Sequence, residues 1–140
     1  HYQYALAPWD DCLYMLATGH LLRFDPAARV WQELEPNPDP KHGLPALPAQ
    51  HHQTTLNWSA LAADPISQEI VLFGGCGVTT DNGSLGTWVY STAANQWRKL
   101  ELKTEPSPRA LSPMAFDKAT GKIVLFGGDL LDRVVGYVGL

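Results

Sequence analysis

The chain has 140 residues, 10 Lys plus Arg against 14 Asp plus Glu, and a formal net charge of −4. An apolar content of 45% fits a packed globule rather than disorder, and the lack of any basic block argues against a nucleic-acid surface. The longest stretch without a charged residue, 43–63, holds two Pro, two His, two Gln and an Asn, so no membrane span is expected.

The opening HYQYALAPW has no charged n-region and no initiator Met, and reads as a mature product or a piece of a longer chain. Four short strands are predicted from it onward: Tyr2 to Ala7, Cys12 to Leu16, His20 to Phe24 and Val30 to Leu34. A Pro-rich insert over 35–56 follows, made extended and stiff by Pro36, Pro38, Pro40, Pro45 and Pro48. Asn57 to Ala63 is the next strand, closed by the turn pair Asp64-Pro65. Gln68 to Phe73 is β-rich and stops at Gly74-Gly75. After a polar, Gly-containing loop come TWVY (87–90), the turn STAAN and QWRKLEL (96–102). The last part predicts Leu111 to Phe116, the turn DKATG, Lys122 to Phe126 and Val134 to Val138. No stretch of ten residues carries a helical period.

The elements recur. IVLFGG is spelled at 70–75 and again at 123–128, 53 residues later, and Asp64 stands 53 residues before Asp117. FDPAARVW (24–31) parallels YSTAANQW (90–97). The units are therefore 2–34, 57–102 and a truncated 111–140. The first is degenerate, with Ala17-Thr18 where the others carry Gly-Gly. A four-stranded unit repeated every ~50 residues is the pattern of a β-propeller blade.

Gly74, Gly75, Gly127 and Gly128 at strand ends, Trp88 and Tyr90 on a third strand, and Trp31 and Trp97 on a fourth resemble kelch repeats. The sequence most resembles the D-x-x-T-G-K-I-V-L-F-G-G blades common in bacterial kelch proteins, within the broader galactose-oxidase-like propellers. The expectation is an all-β fold of kelch-type blades, each of four antiparallel strands, in an incomplete ring of about two and three quarters blades. In such a stack the Trp and Tyr side chains fill the space between sheets, so Trp97 and Trp31 are both expected to be buried.

Long loops over 35–55, 76–86 and 103–110 fall on one face and short hairpins on the other, so any ligand site is placed on the long-loop face. Candidate binding residues there are Arg109, His51, His52 and Asp81. Asp81-Asn82-Gly83 also fits a plain turn, and Arg109 a hydrogen bond to loop carbonyls. His51 and His52, even with His42, do not suggest a metal: adjacent side chains on extended backbone point opposite ways, and no carboxylate or Cys has ligand spacing.

No cofactor is implied. No GxSxG, HExxH or phosphate loop occurs. The copper radical oxidases that resemble kelch propellers need Tyr, Cys and two His at the axis, and Cys12 and Cys76 pair obviously with neither. These two cysteines belong to different units, one near a strand start and one past a strand end, and are expected to stay unpaired.

The function expected is a binding or interaction module rather than an enzyme. The alternative is a fragment of a kelch-propeller oxidase, lyase or sugar-acting enzyme whose catalytic residues lie in absent blades. Expected partners are a protein or carbohydrate ligand, and either the rest of a longer propeller or a second copy of the chain. A bacterial origin would favour an extracellular or periplasmic location.

Overall fold

The structure, a computed structural model, describes residues 4–17, 20–45, 59–75, 86–107 and 109–130. Every regular element among them is a strand. Strands β1 (Tyr4–Trp9), β2 (Cys12–Ala17), β3 (His20–Asp25) and β4 (Val30–Leu34) form one antiparallel sheet in the order β1-β2-β3-β4. Strands β5 (Ala60–Asp64), β6 (Glu69–Phe73), β7 (Thr87–Ser91) and β8 (Gln96–Lys99) form a second in the order β5-β6-β7-β8. Then come β9 (Arg109–Ala110), β10 (Met114–Asp117), β11 (Lys122–Leu125) and β12 (Asp129–Leu130), pairing as β10-β11 and β12-β9. The all-β class with four-stranded antiparallel sheets is the one read from the sequence.

The hairpins explain why the strands end where they do. Asp25 accepts from the Ala27 and Ala28 amides at 2.9 and 3.0 Å, Asp64 from Ile66 at 2.8 Å, and Asp117 from Ala119 at 2.9 Å. Ser91 does the same for Ala94 at 3.2 Å. The last residue of each turn, Arg29, Gln68, Asn95 or Gly121, takes a positive φ that returns the chain to the next strand.

Several boundaries differ from the sequence reading; β8, for one, ends at Lys99 rather than at Leu102. β1 runs on to Trp9, because the turn is made by Asp10 and Asp11, both at positive φ. The expected strand over 111–116 is broken: Leu111 has φ 59° and Pro113 lacks an amide, which separates β9 from β10. The expected strand 134–138 lies outside the described residues.

Strands β1, β5 and β10 stand side by side, β5 touching β1 on one flank and β10 on the other. Register assigns the faces. Ile70 pairs with Ala63 and Tyr90, and Leu72 with Leu61 and Trp88, so these side chains share the face toward the first sheet. With Trp97 they form one buried cluster with Ala5, Ala7, Cys12, Tyr14, Leu16 and Leu21 of that sheet. The Tyr14 and Tyr90 rings meet at 6.3 Å, and Tyr90 meets Trp97 at 5.3 Å. Burial pushes the Tyr90 phenol up to about 12, and its hydroxyl donates to Asn95 Oδ1 at 2.9 Å. The opposite face of the second sheet buries Ala60, Ala62, Phe73 and Val89 where β10 and β11 approach β5. Cys12 is buried and unpaired; Cys76 lies outside the described residues.

Trp31 corrects the sequence reading. It occupies the position in β4 that Trp97 occupies in β8, seven residues after an aromatic partner, yet it is 48% exposed where Trp97 is 2% exposed. The reason is directional. Each fourth-strand Trp points toward the sheet on the N-terminal side, and the first sheet has none there among the described residues.

Candidate functional site

The site builds from the Gly-Gly ends of β6 and β11. Gly74 and Gly75 have φ of 67° and 94°, conformations that glycine reaches without strain. The Gly74 amide donates to the Gly86 carbonyl at 3.2 Å and the Gly75 amide to the Arg109 carbonyl at 3.1 Å. A Cβ on Gly74 would overlap that same Arg109 oxygen. Only a bare backbone lets the chain entering the third unit lie this close to the second.

Arg109 then reaches onward. Its Nε donates to the Ser107 carbonyl at 3.1 Å, Nη1 to the Gly127 carbonyl at 2.9 Å, and Nη2 to Ser107 Oγ. Ser112 Oγ donates to the same Gly127 carbonyl at 3.2 Å. Arg109 thus ties the Gly-Gly of the second sheet, through its backbone, to the Gly-Gly of the third, through its guanidinium.

The Pro-rich segment holds what sequence reasoning missed. Residues 35–39 run beside β8 rather than standing free as a loop, and Asp39 and Gly43 then close a turn. Asn37 and Gln96 form a parallel bridge, with the Asn37 amide donating to Asn95 O at 2.8 Å and the Trp97 amide to Asn37 O at 3.0 Å. Asn95 Nδ2 donates to Glu35 O at 2.9 Å and Gln96 Nε2 to Pro38 O at 3.3 Å. Where residue 37 pairs inward, its neighbours 36 and 38 would turn their amides outward, and as prolines they have none to expose. Pro36 and Pro38 close this edge of the sheet against further pairing, and Pro40 lies in the turn between Asp39 and Gly43.

Asp39 locks this strap. It is buried, and its Oδ1 accepts from the Lys41 and His42 amides at 2.7 and 2.8 Å while Oδ2 accepts from the Lys99 amide at 3.0 Å. Burial alone would raise its pKa, but these three amides and the nearby His42 outweigh it and hold the carboxyl at about 2. His42 Nε2 stands 3.3 Å from Glu101, which also pairs with Lys41, and the His42 ring meets the Trp88 edge at 6.3 Å. Because the folded pKa is depressed, the lock is complete above the ordinary carboxyl value of 3.8 and is lost as pH falls toward 2. The amide proton shifts of Lys41, His42 and Lys99 are therefore expected to titrate together with a midpoint near 2. A common midpoint near 3.8 would remove the lock.

Between the first sheet and the strap lies an open apolar groove of about 250 Å³. Leu16, Leu21, Leu34, Pro36 and Trp97 are among its walls, with Glu33 and Glu35 beside them. His20 Nδ1 lies 2.5 Å from Glu33 Oε1 at this rim. The groove sits at the end of the sheet where β2 finishes, β3 starts and β4 finishes, the long-loop end. Its only signal in the sequence is the return of Pro beside Trp-x-x-Leu, which carries no site information by itself.

Of the candidates read from the sequence, only Arg109 falls within the described residues; His51, His52 and Asp81 lie outside them. Trp88, Tyr90 and Trp97 are interior, and Gly74, Gly75, Gly127 and Gly128 all take positive φ at the ends of β6 and β11. No helix among the described residues is long and apolar enough to cross a membrane. No family model matches the chain, and no curated protein matches it.

Proposed function

We propose that the chain is a kelch-type binding module whose ligand, a segment of another protein, docks at the long-loop end of the sheets. The groove between β2–β4 and the Pro-rich strap carries this reading. Its aliphatic walls suit apolar side chains, and its rim carboxylates Glu33 and Glu35 favour a neighbouring Lys or Arg. Trp97 is 2% exposed, so it has no ring face to stack on a sugar, which favours peptide over carbohydrate. Arg109 belongs to the same end: three of its five N–H groups hold backbone and Ser107, leaving donors for a ligand carbonyl. The kelch assignment rests on the four-stranded sheets, the 53-residue period and the Gly-Gly ends.

A peptide selected from a random displayed library against the whole chain tests the site. Amide shift changes are expected at His20, Leu21, Leu34 and Leu44, and Glu33→Lys should weaken a basic peptide about tenfold. Shift changes confined to the hairpin residues 26–29, 92–95 and 117–120 would overturn the assignment. Selective capture of an oligosaccharide at the groove would replace the peptide with a sugar.

A further inference from the structure

The groove has a fixed floor and one wall of a different kind. Leu16, Leu21 and Trp97 are 3%, 2% and 2% exposed and belong to β2, β3 and β8, so the packing of two sheets holds them. Leu44 lines the same groove, yet it is 45% exposed and belongs to no strand. It arrives there because the strap doubles back. Glu35 and Pro36 line the groove before the turn, and Leu44 and Pro45 line it after.

That return closes around Asp39. Its amide donates to the Gly43 carbonyl at 2.7 Å, and the Gly43 amide donates to the Asp39 carbonyl at 2.9 Å. The Asp39 carboxylate fastens the turn a second time. Oδ1 fills the inside by taking the Lys41 and His42 amides, and Oδ2 ties the whole turn to β8 through the Lys99 amide. Leu44 follows directly on the closure. With nearly half of its own surface in water, it owes its place to Asp39 more than to packing.

The size of the space makes that place matter. A volume of about 250 Å³ falls below the roughly 300–1,000 Å³ of sites that enclose a drug-sized ligand. It takes a side chain, not a folded ligand. Sheet packing fixes the floor, so the side chain admitted depends on the wall that stands outside the sheets.

We propose that Leu44 selects the size of the apolar side chain that enters the groove, with Asp39 acting through it as a positioning residue. This rests on the reading of the groove as a peptide site and names what chooses the peptide. The favoured anchor is of leucine size, followed by a basic residue for Glu33 and Glu35.

Three acetylated dipeptide amides, alanyl-, leucyl- and tryptophanyl-lysine, serve as probes, read by the amide shifts of Leu21 and Leu34 in the whole chain. The parent is expected to bind the leucyl probe about tenfold more tightly than the tryptophanyl one. Leu44→Ala should reverse that order, and Leu44→Phe should leave the alanyl probe the tightest. Asp39→Asn puts an N–H where an acceptor is needed and should level the leucyl and tryptophanyl probes with Leu44 still present. The two Leu44 variants open no core, so they decide the matter even if Asp39→Asn melts the turn. Variants that weaken all three probes alike and keep their order would overturn the proposal, because a merely structural role does that. Probes that shift Leu21 and Leu34 with a ranking indifferent to residue 44 would sink the selection and spare the peptide site. Probes that never shift Leu21 or Leu34 would remove the peptide site itself, and this inference with it.

Discussion

Replacing Trp97 by alanine is expected to cost about 3–5 kcal/mol of folding free energy, the range for large aromatic truncations in a packed interior. Trp97 is 2% exposed, its ring lies 5.3 Å from that of Tyr90, and it joins two sheets in one cluster. Loss of the indole leaves a void between rigid sheets that cannot close around it. The same change at Trp31 is expected to cost about 1 kcal/mol, mostly the stacking with Phe24. Urea titrations of both variants beside the parent chain measure the two losses. Equal losses at the two sites would mean that Trp31 is covered in solution.

Gly74→Ala is the second large effect. Left-handed backbone costs an alanine about 1–2 kcal/mol. The new methyl group also collides with the Arg109 carbonyl, which is backbone and cannot rotate away. Forced overpacking adds about 1–3 kcal/mol, so a total of roughly 2–5 kcal/mol is expected. Gly43 supplies the control, since it has φ 76° but a methyl group placed there would meet nothing within 4 Å. Gly43→Ala should therefore lose only the conformational part. Equal losses for the two variants would show that the approach of Arg109 to Gly74 adds no energy of its own.

Much of this architecture is legible in the residues because it is local. Strand lengths follow from apolar runs, and hairpins follow from Asp25, Asp64 and Asp117 capping their own turns. The repeat is spelled out in IVLFGG. What the residues conceal is non-local. Trp31 and Trp97 share one motif and differ only in whether a sheet lies opposite, which no property of the tryptophan encodes. The strap along β8 depends on Asn37 meeting Gln96, a partnership set by how two sheets sit side by side. The break at Leu111 is readable only in part, from Pro113. Arg109 is visible as a candidate, but its role in joining two Gly-Gly turns requires both turns to be present in space. His51, His52 and Asp81 remain sequence candidates for the same loop end.

The strap also imposes an order in time. Asn95 and Lys99 bond to Glu35 and Asp39 across 60 residues of chain. A ribosome adding roughly 5–20 residues per second needs about 3–12 s to make that interval. Through those seconds the first sheet can close on its own neighbours, while the strap waits with Asn37 and the Asp39 Oδ2 lacking their β8 partners. The second sheet, by contrast, meets its edge cover already made, so β8 can be sealed as soon as it forms. Vectorial synthesis thus spares the later strand the exposed edge that the earlier segment was placed to protect.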